Sequence, residues 1–384
     1  MEKVLVTKLI PGGQGLGALS DGKKIFFWNV LPGEVVTDFI VTKKKSSYVE
    51  AIATQFEKVS DERIEPKDDC YLSTSPWQIM KFDFELAQKG ELVKELFRQN
   101  GIEIETPEVV TDGKEYQYRN KMEYALYYDV EKAKIELAFH ARGSHRKVVV
   151  DHSSIERPEI FAKAVEIVAD LNARHEEARK YQSMLLRCNA NGEVSGGLFE
   201  NKKPHPVFPN LTDTILGNEY SYSPNGFFQI NLPVYELALQ EMRKYINTDK
   251  VLDLYSGVGT IGLSVARDKD LTLVECNGSA YEESLANIKG LDNVKSVLAK
   301  SEDVLEYIEP DETVILDPPR AGCEKKLIEK LLEAHPKKIV YLSCNPATQA
   351  RDVAMLLDGY KIEAVKTFNF FPRTPHIENL IILG

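Results

Sequence analysis

The sequence predicts an α/β protein in three parts: a small β-barrel over residues 1–58, an α/β region over 59–215, and a doubly wound parallel sheet over 216–384. Three observations carry this. After residue 216 short apolar runs alternate with helical stretches, and each run closes on a chemically loaded residue. The front of the chain shows short β-rich runs broken by glycine turns. A chain of 384 residues also exceeds one average domain.

In order, residues 3–10 alternate as a strand, and Pro11-Gly-Gly-Gln-Gly-Leu-Gly17 requires the backbone freedom of glycine. Residues 24–30, 35–43 and 48–54 are further strands, with Leu31-Pro-Gly-Glu34 as a turn. Residues 78–100 form an amphipathic helix through Phe82, Leu86, Leu92, Leu96 and Phe97, ended by Asn100-Gly101. Strands return over 116–150, a helix opens at Glu156-Arg-Pro and runs to Ala173, and 184–188 and 196–198 complete the middle. In the last part, strands end 251–259, 271–275, 313–319 and 338–344, separated by helices at 260–268, 279–289, 323–335 and 347–357.

Composition narrows the function class. The chain is 43% hydrophobic and 28% charged, with no internal repeat. No apolar run approaches the roughly 18 residues of a membrane span, and no signal-peptide pattern opens the chain. Five scattered cysteines are not a disulfide framework, so a reducing cytoplasm is expected. A net charge of −11 excludes a protein that coats nucleic acid indiscriminately. Yet residues 1–50 hold seven Lys/Arg against five Asp/Glu, and residues 114–150 hold eight against five. These stretches suit a local phosphate track, with Arg119 and Lys121 as its candidate contacts.

Asp253-Leu-Tyr-Ser-Gly-Val-Gly-Thr-Ile-Gly262 joins a strand to a helix. Gly257 and Gly259 let the backbone approach a ligand, and Glu275 closes the next strand, where a carboxylate grips ribose hydroxyls. Gly257, Gly259 and Gly262 spell the dinucleotide fingerprint, which alone does not separate a nicotinamide cofactor from S-adenosylmethionine. Rigid prolines fix Asp317 at the crevice, and Asp317-Pro-Pro-Arg320 decides for a methyltransferase because methyltransferases often use D/N-P-P there and dehydrogenases have no use for it. Ser343-Cys344-Asn345-Pro346 places a thiol at the end of the following strand, before a helix whose dipole would lower its pKa. Uracil C5 is too electron-poor to attack a methyl sulfonium directly. A thiolate that adds to C6 makes C5 nucleophilic, and a base must then remove the C5 proton. Glu378, with His376 nearby, is the candidate base.

The strings FFQIN (227–231), LDLYSGVGTIGL, ILDPPRAG, YLSCNPATQARD and FPRTPHIE, in this order, resemble the RNA uracil-5 methyltransferase family over almost the whole chain. Residues 1–58 resemble the TRAM domain, an OB-like RNA-binding module, which points to the branch acting on 23S rRNA. The resemblance implies a class I S-adenosylmethionine-dependent, Rossmann-like catalytic domain. It implies Cys344 as nucleophile and Glu378 as base. Gln229, Tyr255, Glu275 and Asp317 match contacts to S-adenosylmethionine, and Thr260 a contact that varies within the family. Lys300 stands where an Asp or Asn usually holds the adenine side. Many relatives carry an iron–sulfur cluster on four cysteines. Here Cys70 is alone and Cys188, Cys276 and Cys323 have no cluster spacing, so no cluster and no other metal are expected. The substrate is expected to be a loop or flipped base, bound by a monomer without membrane contact. An amino-group methyltransferase and an RNA-binding protein with an inactive catalytic domain are the alternatives. The first would leave Cys344 and Glu378 idle, and intact motifs weigh against the second.

Overall fold

The computed structural model describes residues 2–384. Strands Val4–Leu5, Lys8–Leu9, Gly15–Ala18, Lys24–Trp28, Val35–Lys44 and Tyr48–Lys58 form one sheet. Val4–Leu5 pairs with Val35–Lys44 at one edge and Lys8–Leu9 pairs with Gly15–Ala18 at the other. These two segments are almost continuous, so the sheet curls into a barrel. Alternation drives it: Ile25 and Phe27 point inward against Val4, Val36, Val49 and Ala51, while Lys24 and Trp28 point away. The Gly12-Gly13 loop leaves the barrel with φ of 91° and 96° and docks far along the chain. A Cβ on Gly13 would lie 2.5 Å from Pro375 Cβ, and its carbonyl accepts the Trp77 indole N–H at 3.2 Å.

The middle part departs from the α/β expectation. Its six strands, Lys121–Asp129, Lys134–His140, Lys147–Val149, Ser183–Cys188, Val194–Glu200 and Lys203–His205, are all antiparallel. Short hairpin links join most of these strands, and the helix Pro158–Ala173 packs on this sheet.

The eight-stranded sheet of the last part has the order Val294–Leu298, Asp270–Glu275, Lys250–Leu254, Glu312–Leu316, Lys338–Ser343, Glu378–Leu383, Ile362–Phe368, Val109–Val110. The first five strands are parallel, as the alternation predicts. Glu378–Leu383 inserts antiparallel to both neighbours, which brings Glu378 to the same edge as Ser343 and Cys344. No helix among the described residues is long and apolar enough to cross a membrane.

Two boundaries shift. Residue 215 lies inside the hairpin Leu211–Ile215/Asn218–Tyr222, whose Leu211, Tyr220 and Tyr222 belong to the core of the eight-stranded sheet. The helix Phe82–Gln99 also belongs there: Leu92, Val93 and Phe97 bury against that sheet, and the helix packs on Pro346–Leu356. Apolar spacing reveals that a helix buries one face, but not which sheet receives it.

That helix is clamped by charge as well as by apolar burial. Lys89 and Glu85 are both fully buried and paired at 3.0 Å. Lys89 Nζ also donates to Asn369 Oδ1 at 2.6 Å and to the Phe371 carbonyl at 3.1 Å. Glu85 accepts the Arg373 backbone N–H at 3.0 Å, and Arg373 Nη1 donates to the Met80 carbonyl. Burial pushes the Lys89 ammonium below its ordinary pKa, and Glu85 opposes that shift. Removing one partner would leave a bare buried charge. Glu85→Ala is therefore expected to cost about 3–5 kcal/mol in urea unfolding. A loss near zero would show that the cluster does not clamp the helix.

Candidate active site

The strand Lys250–Leu254 hands the chain to a turn of unusual backbone. Tyr255 has φ of 63°, Gly257 57° and Gly259 87°, before the helix Thr260–Val265. Left-handed φ costs a tyrosine energy that surrounding contacts must offset, and its hydroxyl is held by Glu302. Gly262 is an obligate glycine, because a Cβ there would meet Asp253 Oδ2 at 2.7 Å and Leu273 at 2.8 Å. Its N–H instead donates to Asp253 Oδ2 at 2.8 Å. Glu275 is buried and accepts one N–H on each oxygen, from Gly257 at 2.8 Å and Asn277 at 2.6 Å. A carboxylate has about four lone-pair sites, so two remain for ligand hydroxyls. This donor and acceptor set fits the ribose of S-adenosylmethionine.

One cavity of about 590 Å³ joins this cradle to the predicted chemistry. Gln229, Tyr255, Gly257, Glu275, Asp317, Cys344 and Glu378 all line it. Gly259 and Thr260 do not; both are buried behind it, where Gly259 packs on Leu263 and Leu273. Arg119 and Lys121 lie at the start of a central strand, outside the cavity. Arg119 Nε donates to the Lys121 carbonyl at 2.9 Å, and its Nη groups make no hydrogen bond among the described residues. Lys121 Nζ is engaged by the Asn225 and Gly226 carbonyls at 3.3 and 2.9 Å. Lys300 is exposed and does not line the cavity. Sequence reasoning assigned no role to Phe227, Phe371 or Arg320, which also line it. Arg320 could have been found from its place next to Asp317-Pro-Pro.

The electrostatics overturn one expectation. Cys344 was expected to have a lowered pKa, but burial, Glu378 and Asp317 push its thiol up to about 11, with Arg320 opposing. The dipole of the helix Pro346–Leu356 does not outweigh two acidic neighbours in a desolvated cleft. Burial raises Asp317 to about 7. Burial and Asp317 hold Glu378 well above the carboxylate range, again with Arg320 opposing. Burial and Arg320 lower His376 to about 4, so its ring is neutral near pH 7 and Nδ1 accepts from Arg320 Nη2 at 3.0 Å. Cys344 and Glu378 thus share one guanidinium, with Asp317 buried beside them.

The remaining cysteines lie apart. Cys70 is buried with its thiol donating to the His152 carbonyl, Cys188 ends a central strand, Cys323 is buried and Cys276 is exposed. Among the described residues no group of three or more His, Cys, Asp or Glu side chains could hold a metal ion.

A family model described as tRNA (uracil-5-)-methyltransferase matches residues 214–384. A protein described as an uncharacterized RNA methyltransferase from Lactobacillus johnsonii is 29% identical, over 98% of this chain and 97% of its own. Another from Prochlorococcus marinus is 28% identical over 92% and 99%. Among solved structures, the Pyrococcus abyssi tRNA (uracil-54, C5)-methyltransferase in complex with S-adenosyl-L-homocysteine superposes with a TM-score of 0.79. It is 24% identical and covers 100% of this chain and 99% of that one, a likeness that shows the fold.

A thiol near 11 is about 10⁻⁴ ionised at pH 7. Alkylation of Cys344 by iodoacetamide, followed by peptide mass spectrometry, is expected to be slow at pH 7 and to climb about tenfold per unit to pH 10. A plateau below pH 8 would mean that the thiolate is already stabilised in the resting site.

Proposed function

We propose that the chain is an RNA uracil-5 methyltransferase in which Cys344 adds to C6 of a flipped uracil and Glu378 removes the C5 proton. The observation that carries this is the convergence of Cys344, Glu378, Asp317 and Arg320 on the cavity that also holds Gln229, Tyr255 and Glu275. Gln229, Tyr255, Gly257, Glu275 and Asp317 would hold S-adenosylmethionine, which when bound would supply an electrophilic methyl group for C5. Gly259 and Thr260 support that contact from behind.

The residues divide the remaining work. The Cys344 thiol releases its proton to solvent as its sulfur forms the bond to C6, and the C5=C6 π electrons move toward the C4 carbonyl to give an enolate, so C5 becomes the nucleophile. Arg320, the cation at both acids, stabilises the negative charge that accompanies thiolate formation. After C5 is methylated, the Glu378 carboxylate takes the C5 proton, the double bond re-forms and sulfur leaves. A carboxyl group raised by burial is a stronger base once ionised, which suits it to a carbon acid.

The substrate is RNA, and 23S rRNA is the preferred reading, on the resemblance of residues 1–58 to a TRAM module. A tRNA is the second reading, because the Pyrococcus abyssi enzyme, whose substrate is a tRNA, shares the architecture over the full chain. The RNA runs past the barrel loop and the central sheet. There Arg119 offers two unengaged Nη groups, Lys121 one remaining donor, and Arg142 stacks over Trp28 at 4.3 Å. The chain is proposed to act as a cytoplasmic monomer without an iron–sulfur cluster. Iron and sulfide in anaerobically purified protein would contradict the last point.

Incubation with methyl-labelled S-adenosylmethionine and either rRNA or tRNA is expected to place label in 5-methyluridine, and the RNA that accepts it decides between the two substrates. Label in an N-methylated purine would overturn the reaction. Glu378→Gln is expected to slow turnover by about 10²–10⁴ and to accumulate a covalent RNA adduct. Cys344→Ala is expected to abolish adduct and product together; a Cys344→Ala enzyme of normal rate would sink the mechanism.

A further inference from the structure

Residues Asn225–Ile230 carry Phe227 and Gln229 into the cavity, yet they belong to no helix or strand. A segment without secondary structure must find hydrogen-bond donors elsewhere for its carbonyls. Here almost all of them come from the central sheet. Lys121 Nζ serves the carbonyls of Asn225 and Gly226. Arg187 serves Gly226, Phe228 and Gln229. Asn120 serves Gln229 through its side chain at 3.2 Å and Ile230 through its backbone at 3.1 Å. The carbonyl of Phe227 has none of these donors, and its ring, 73% exposed, stands at the cavity.

Arg187 is the unusual member. It is fully buried in the strand Ser183–Cys188 and has no carboxylate within ion-pair distance among the described residues. Instead its guanidinium lies 5.1 Å from the Tyr222 ring and 5.6 Å from Phe228, two rings stacked 3.8 Å apart. Burial pulls its pKa down to about 10. A cation kept in the interior with only carbonyls and rings in contact, and the Asp213 charge acting from beyond Tyr222, is costly, and an apolar residue there would suit the sheet better. The five donors of a guanidinium match several carbonyls converging from one segment, which no apolar residue does.

We propose that Arg187 is a positioning residue: it fixes the backbone of 225–230, with Lys121, so that Phe227 and Gln229 form the wall of the cofactor and substrate cavity. The inference rests on the cavity being the methyltransferase site. It assigns the central sheet a second task beside RNA contact, as a backing plate for the active site.

Arg187→Met and Arg187→Lys, compared with wild type, test this by three measurements. These are thermal stability, S-adenosylhomocysteine affinity by calorimetry, and the separate KM and kcat values for RNA methylation. Arg187→Met is expected to stay folded, to bind S-adenosylhomocysteine about tenfold more weakly and to raise KM, with Arg187→Lys between it and wild type. A folded Arg187→Met with wild-type affinity and KM, whatever its Tm, would overturn the proposal. If Arg187→Met does not fold, Lys121→Met, whose side chain is half-buried at the same segment, takes its place. Unchanged S-adenosylhomocysteine affinity in that variant would overturn it equally. Should the wild-type chain make no 5-methyluridine, the functional reading fails, while S-adenosylhomocysteine binding still tests Arg187.

Discussion

An ammonium group cannot be left bare in an apolar interior, and the burial of Lys89 organises much of this molecule around that constraint. Glu85, four residues earlier on the same helix, supplies the counter-charge, and Asn369 and the Phe371 carbonyl supply the remaining acceptors. Those acceptors belong to the segment that runs on through Arg373 and His376 to Glu378. Arg373 sits there with φ of 64°, its N–H on Glu85 and its guanidinium reaching the Met80 carbonyl and Glu115. One buried network therefore ties the helix Phe82–Gln99 to the loop that presents His376 and the proposed base. The barrel reaches the same loop from the other side, through Gly13 against Pro375 and Trp77. The loop has little regular structure of its own, and its conformation is set by what surrounds it.

The legible and illegible parts of this architecture separate along the same line. Strand ends and glycine turns of the catalytic sheet were readable because apolar period and turn chemistry are local properties. Tyr255, Gly257, Glu275, Asp317 and Cys344 could be placed at one edge because parallel sheets collect their carboxyl ends there. The destination of the helix Phe82–Gln99 was not readable, since its spacing is the same whichever sheet it covers. Nor was the direction of the Cys344 shift. The helix that follows it was visible, but the antiparallel insertion of Glu378–Leu383, which brings a carboxyl group beside the thiol, was not. Arg187 carried no signal either: in a run of apolar strand residues it looks like an outward-facing cation, and only the fold reveals that it points at the catalytic part.

The acid cluster also changes how the site is understood. Asp317, Glu378 and Cys344 share one desolvated cleft with Arg320, so their protons belong to the group and not to single residues. One guanidinium can compensate one negative charge well. A state with both carboxylates and the thiolate ionised is therefore disfavoured, and the resting thiol stays protonated. His376, held neutral beside Arg320, adds no second cation and instead anchors the first.

A protonated resting thiol is consistent with a nucleophile used only when a base is in place. In the proposed reaction, once an uncharged uracil occupies the cleft, negative charge created at sulfur can move out to the ring carbonyl instead of accumulating beside Asp317 and Glu378. The cleft then opposes thiolate formation in the absence of substrate and opposes it less in its presence. Such discrimination requires that the ring sit in one place, which depends on the wall carrying Phe227 and Gln229. That wall is held by the central sheet through Arg187 and Lys121, and the loop opposite is held by Glu85 and Lys89. Both flanks of the chemistry are therefore fixed from outside the catalytic sheet, by buried cations whose cost in stability is offset only where they meet the segments that line the cavity.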